Sequence, residues 1–336
     1  MRLSSLLLVL VPFSGVFAAP APNADPAPNE RGVSVNKKRS NFWFAGVSES
    51  GAEFGSGNIP GVLGTDYTWP LTSSVDVRFS LTKSVTRAKY IQTLMGKGFN
   101  IFRIPFLMER LVPSSLYEGV NAAYLSEMQA LVSHITGKGG YAAICAQNFG
   151  RYYGNIITDT SGFEAFWKTV ASQFKSNSHV IFDTNNEYHD MDNTLVGNLN
   201  QAAINGIRAA GATAQTIFVE GNSYTGAWTW VSSGTDTAMA ALTDPNDNVI
   251  YEMHQYLDSD GSGTSSTCVS TSIGVDRLEA ATSWCKSNGK NCILGETAAG
   301  SNSVCISAIS NMLAYMKTNN DVWRGWLLWG GGPWWG

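Results

Sequence analysis

Charge is scarce in this chain: 14% of its 336 residues are Asp, Glu, Lys or Arg, and only four are His. Lys and Arg number 22 against 26 Asp and Glu, a formal net charge of −4 with no dense basic run. Phosphate backbones are gripped mainly by clustered Lys and Arg, so nucleic acid is not expected as a partner. No apolar run reaches the roughly 20 residues that a membrane-spanning helix needs. No two of the five cysteines are spaced CxxC, and with so few histidines a structural zinc site is not expected. Asn-x-Ser/Thr acceptors, GxGxxG and P-loop motifs are also missing. What is present is an apolar chain, 44% hydrophobic with 34 Gly and 11 Trp. That excludes disorder and is enough for one large domain, or two small ones, with a sizeable core. Tryptophan is heavily used; its flat faces suit sugar rings, although large cores use it too.

The first residues read as targeting rather than fold. Met1-Arg2 supplies a positive charge, Leu6 to Phe13 an apolar stretch, and Val16-Phe17-Ala18 a small-residue cleavage site, together a signal peptide over 1–18. A Pro/Ala/Asn-rich tract over 19–39 follows, unable to pack a core, and ends in Lys37-Lys38-Arg39, like a dibasic propeptide-processing site. Five of the 22 basic residues and two of the 26 acidic ones lie in 1–39, so the remainder is more acidic still. The expectation is a secreted, soluble, acidic monomer. Secretion places Cys145, Cys268, Cys285, Cys292 and Cys305 in an oxidising compartment, where disulfides form. An odd count leaves at least one thiol free or paired between molecules.

From Asn41 onward, eight short apolar runs alternate with helical patterns. The runs cover 42–47, 100–106, 141–147, 180–187, 217–222, 249–256, 292–297 and 325–330. They are continuously apolar, as in a parallel sheet buried on both faces. Amphipathic segments lie between them over 122–137, 163–176, 195–210, 275–287 and 304–317. With no Pro/Gly-rich linker after residue 40, this pattern predicts one (β/α)8 TIM barrel as a single catalytic domain over 40–336. An open doubly wound sheet is the alternative architecture.

Polar residues gather where these runs end. Arg103, Asn186, Glu187, His254, Tyr256, Glu296 and Trp329 all occupy such places. The carboxyl ends of barrel strands line one open mouth, so these side chains are brought together. Two carboxylates on one rim are what cleavage of a glycosidic bond requires. One is protonated and donates to the leaving oxygen; the other is ionised and attacks or stabilises the sugar carbon. A separation of roughly 5–5.5 Å gives retention and about 6.5–9.5 Å inversion, a distance the sequence does not supply. No Ser or Cys stands at a strand end beside a His except Cys145, so a nucleophilic triad is not expected. The chemistry needs no cofactor and no metal. Glu49 and Glu53 fit a structural role as well as a rim contact, and His189 fits one that orients backbone beside Glu187. Trp69, Trp228, Trp230, Trp334 and Trp335 read as loop aromatics, with sugar stacking plausible for Trp228 and Trp329.

The stretches Phe-Asp-Thr-Asn-Asn-Glu-Tyr-His-Asp-Met (182–191), Tyr-Glu-Met-His-Gln-Tyr-Leu-Asp-Ser-Asp-Gly (251–261) and Leu-Gly-Glu-Thr (294–297) resemble secreted fungal endo-β-1,4-glucanases of glycoside hydrolase family 5. So do Glu-Ser-Gly-Ala-Glu-Phe-Gly (49–55), Arg-Ile-Pro-Phe-Leu-Met-Glu-Arg-Leu (103–111) and Gly-Pro-Trp-Trp-Gly (332–336). The resemblance spans nearly all of 41–336. It implies the same barrel, a cellulose or β-glucan substrate, and a retaining double displacement. By the same resemblance Glu187 is the acid/base and Glu296 the nucleophile. Asn186 holds the sugar 2-hydroxyl, Arg103 supports the nucleophile, His254 and Tyr256 orient carboxylates and substrate, and Trp329 is the stacking platform. Gln147 and Asn148 join the supporting set, and Cys268 pairs with Cys305.

Three departures stand out. The family's Asp-Pro-His-Asn-Tyr-Gly after strand three reads Cys145-Ala146-Gln147-Asn148-Phe149-Gly150 here. Gln147 can donate a hydrogen bond but cannot become cationic, so weakened rather than abolished catalysis is expected. Residues 77–89 have no counterpart and read as an insertion or a translated intron, which transcript sequencing would settle. The chain stops at Gly336, where the family continues into a final helix, so the outer faces of strands eight and one are expected to be partly uncovered. Two other functions fit the same residues: hydrolysis of mannan or mixed-linkage glucan, and an impaired carbohydrate-binding homologue.

Overall fold

The computed structural model describes residues 42–70 and 89–334. The expected signal peptide, the propeptide-like tract and residues 77–88 of the expected insertion lie outside the described residues. Eight parallel strands close into a barrel: Phe44–Glu49, Ile101–Phe106, Tyr141–Ala146, Val180–Asp183, Ile217–Glu220, Val249–His254, Cys292–Glu296 and Trp323–Gly331. Each follows its neighbour in sequence around the barrel, and the first pairs with the eighth, Ala45 opposite Trp326. These are the eight apolar runs, so the barrel, not the open sheet, is what the pattern encodes. A short hairpin, Arg151–Tyr152 with Asn155–Ile156, sits outside it.

Helices Ala122–Thr136, Thr160–Phe174, Asn193–Ala209, Ile273–Ser287 and Ser303–Thr318 fill the predicted amphipathic segments. Several starts are chemically fixed. Asn121, Asp159, Asp192 and Asn302 each accept a hydrogen bond from a backbone N–H of the first turn, satisfying donors that the helix itself leaves orphaned. Helix Lys89–Gly96 opens immediately after the undescribed stretch. On the eighth strand, outward-facing Arg324, Trp326 and Leu328 are only half-buried, and Ala45 on the first strand likewise.

Strand side chains alternate with period two, so the barrel interior is built in layers. Its base is one apolar residue from each strand: Phe44, Ile101, Ala143, Ile181, Phe218, Ile250, Ile293 and Leu327. Two positions further along the same strands stand Gly46, Arg103, Cys145, Asp183, Glu220, Glu252, Gly295 and Trp329. Half of this second layer is charged. It forms the floor of the open mouth.

Two disulfides staple the outer shell. Cys268–Cys305 forms as the resemblance implied, and Cys285–Cys292 adds a pairing the sequence reading left open. Cys145 is the free thiol, buried inside the barrel. Trp69 and Trp230 lie in loops, as read from the sequence, and are buried in the core. Trp228 is exposed with the Arg277 guanidinium 4.2 Å above its ring, and exposed Trp334 stacks on Phe54.

Candidate active site

Arg103, on the second strand, is wholly buried and organises the floor. Its Nη1 donates to Glu296 Oε1 at 2.7 Å and its Nε to Asp183 Oδ2 at 2.7 Å. Its Nη2 donates to Asn186 Oδ1 at 2.8 Å and Glu220 Oε1 at 2.9 Å, and lies 3.0 Å from Cys145 Sγ. Glu252 Oε1 stands 3.2 Å from Nε. One guanidinium therefore faces four buried carboxylates. Gly295, just before Glu296, is what lets Glu252 in: a Cβ there would meet Glu252 Oε1 at 1.7 Å.

Glu296 ends the seventh strand and is held at both oxygens, Oε1 by Arg103 and Oε2 by the Tyr256 hydroxyl at 2.9 Å. Burial pushes its carboxyl above the usual range, while the positive charges of His254 and Arg103 pull it back. Two donors thus fix the orientation of this buried carboxyl. Glu187 lies just past the fourth strand, its side chain 18% exposed against 5% for Glu296. It therefore faces the mouth. Its Oε1 lies 2.8 Å from His254 Nδ1, and His254 Nε2 is 3.3 Å from Glu252 Oε1. Burial disfavours a charged imidazole at His254, but Glu296 and Glu220 outweigh it and hold the ring's affinity for a proton well above the ordinary value. As an imidazolium it donates from both nitrogens.

Oxygens of Glu187 and Glu296 and Nδ1 of His254 all lie within 4.8 Å of one another. Such a trio has the spacing to hold a divalent cation, although the neighbouring guanidinium of Arg103 opposes one. The two glutamates share one groove, as the strand-end argument required. Asn186 keeps its Nδ2 buried and, among the described residues, without a hydrogen-bond partner. Trp329 is half-buried near the end of the eighth strand, its backbone N–H donating to Thr297 O. Gln147 is buried at the end of the third strand, its Oε1 3.9 Å from Cys145 Sγ. Asn148 uses its amide within the protein, accepting from Met108 N and donating to Glu109 Oε2. His189 stacks on Tyr224 beside the loop that carries Glu187, its Nδ1 2.8 Å from Asp190.

The family description "Cellulase (glycosyl hydrolase family 5)" matches residues 56–332. The chain belongs to glycoside hydrolase family 5. Endo-β-1,4-glucanase B of Emericella nidulans is 55% identical over 299 residues, covering 89% of this chain and 85% of that protein. Endo-β-1,4-glucanase B of Aspergillus niger is 53% identical over 321 residues, with coverage of 96% and 90%. Among solved structures, XacCel5A in complex with cellopentaose aligns with a TM-score of 0.80 at 35% identity, covering 88% of this chain and 91% of its own. Cel5A (EG2) from Hypocrea jecorina aligns at 0.76 and 28% identity, covering 86% and 89%.

Sequence reasoning missed the buried acids Asp183, Glu220 and Glu252. Burial and the charge of Glu252 push Asp183 up to about 6. Burial and the charge of Asp183 raise Glu220 as well, while His254 and Arg103 pull it back. Burial would raise Glu252 too, but Arg103 and His254 hold it below the usual value. A signal was available. Each acid stands two places after an apolar residue of the base layer, the period-two position that must share its face.

Proposed function

We propose that this family 5 hydrolase is a secreted endo-β-1,4-glucanase that cuts cellulose and related β-glucans as a monomer, with retention at the sugar carbon. The observation that carries the reading is the closeness of the two glutamates: an oxygen of one lies within 4.8 Å of an oxygen of the other, which fits the short spacing of retaining enzymes better than the about 6.5–9.5 Å of inverting ones. In the first step a Glu296 oxygen bonds to the sugar carbon as its bond to the leaving oxygen breaks, and Glu187 gives that oxygen its proton. In the second, Glu187 takes a proton from water, the water oxygen bonds to the same carbon, and the bond to Glu296 breaks. Arg103 and Tyr256 hold the attacking carboxylate, Asn186 donates to the 2-hydroxyl, and Trp329 offers a ring face to the sugar. His254 keeps Glu187 directed at the leaving group.

The substrate follows from the relatives, named as endo-β-1,4-glucanases, and from the cellopentaose held by a structural neighbour. Secretion is supported by the signal-like first 18 residues and by two disulfides; among the described residues no helix is long and apolar enough to cross a membrane. The test is digestion of carboxymethyl-cellulose and cellopentaose, with proton NMR of the first-formed sugar. Rapid loss of viscosity and an initial β-anomer support the proposal. An initial α-anomer overturns the mechanism, and binding without release of reducing ends overturns the activity. Glu187→Gln and Glu296→Gln are each expected to lower kcat by at least about 10²-fold while leaving Tm nearly unchanged.

A further inference from the structure

Glu220, at the end of the fifth strand, is wholly buried and contacts the groove only through other residues. Its Oε2 accepts the backbone N–H of Glu187 at 2.7 Å, and its Oε1 accepts from Arg103 Nη2 at 2.9 Å. Glu187 itself sits at φ +48°, left-handed backbone that a residue with a Cβ adopts only when its surroundings hold it there. The peptides on either side are tied elsewhere, Asn186 N to Ala146 O and Tyr188 O to Tyr224 N. At the strained residue the N–H is held by one side-chain acceptor, Glu220 Oε2. That acceptor shares Arg103 with Glu296.

We infer that Glu220 is a positioning residue for the acid/base: its carboxylate fixes the backbone from which the Glu187 carboxyl reaches the leaving oxygen, and registers it against the nucleophile through Arg103. The inference rests on the reading of Glu187 as acid/base. Asp183, Glu252, Arg103 and, at 3.9 Å, His254 Nε2 face the same carboxylate. An amide in its place has one oxygen for two donors. Arg103 takes that oxygen, and the amide NH2 is left facing the Glu187 N–H.

The test compares leaving groups. Cellopentaose releases a sugar alcohol that must be protonated, whereas 2,4-dinitrophenyl cellobioside releases a phenolate that needs no proton. Glu187→Gln should lose about 10²–10⁴-fold in kcat/KM on cellopentaose and little on the aryl glycoside. Glu220→Gln should show the same asymmetry, about 10–100-fold on cellopentaose, because a small displacement of a catalytic group costs that much. The double variant should be no slower than Glu187→Gln alone. If Glu187→Gln shows the asymmetry and Glu220→Gln loses equally on both substrates, or on neither, the inference falls while the acid/base reading stands. If Glu187→Gln itself lacks the asymmetry, it is the acid/base reading that fails. Should Glu220→Gln not fold, the amide proton of Glu187 in the parent protein decides. A strongly downfield, exchange-protected resonance supports the short bond to Glu220, and an ordinary, freely exchanging one overturns it.

Discussion

The base of the barrel and the layer above it come from the same eight strands, two residues apart, and have opposite chemistry. The base is an apolar ring from Phe44 round to Leu327. The layer above holds Arg103 among Asp183, Glu220 and Glu252, all fully buried. An apolar ring gains stability by leaving water, whereas buried charges lose hydration and recover it only through one another. The strands therefore hold the barrel together at one depth and stage chemistry at the next. The separation can be attacked from either side.

The largest effect is expected at Arg103. Arg103→Met leaves four carboxylates facing an apolar side chain, which should cost about 3–5 kcal/mol in unfolding free energy and remove activity by freeing Glu296. Chemical denaturation with assay of the folded fraction checks it; a stable, active Arg103→Met would erase the distinction between the layers. Ile181→Ala, in the base ring, should cost about 2–5 kcal/mol yet leave kcat of the folded enzyme within about twofold. A selective loss of kcat would show that the base also serves the chemistry. Gln147→His should raise kcat on cellopentaose several-fold, since an imidazole can carry charge at the groove where the amide cannot. An unchanged rate would show that this position is indifferent.

The smallest effect concerns pH. Burial pushes the carboxyl of Glu49 up to about 8, with neither oxygen hydrogen-bonded, and that of Glu53 up to about 7. Asp183 rises to about 6. Each of these groups favours the fold while protonated, so its contribution is full below the ordinary carboxylate range, near about pH 4. It is lost as pH rises through 6 to 8. His254, also raised, acts in the same direction. Tm should therefore decline from mildly acidic to alkaline pH. Glu49→Gln should match the parent near pH 5 and exceed it by a few degrees near pH 9. A constant difference across the range would remove Glu49 from the account.

The apolar ring and the strands were legible because runs such as 141–147 and 292–297 are buried on both faces and carry no competing periodicity. Glu187 and Glu296 were legible because strand ends converge on one mouth. The acids beneath them were harder to see. Asp183, Glu220 and Glu252 interrupt apolar runs, where an isolated acid looks like a strand terminus unless the run is read two residues at a time. That Glu220 reaches the backbone of Glu187, and not a side chain, is three-dimensional information with no local signature. The tryptophans divide for the same reason: Trp230 and Trp228 are two residues apart, one buried and one exposed.

The central claim is that Glu296 attacks and Glu187 handles the proton. Incubating the enzyme with 2,4-dinitrophenyl 2-deoxy-2-fluoro-cellobioside and mapping the trapped sugar by peptide mass spectrometry tests it most directly. The account predicts one equivalent of label on Glu296; label on any other residue, or a fully active enzyme that never accumulates label, would contradict it.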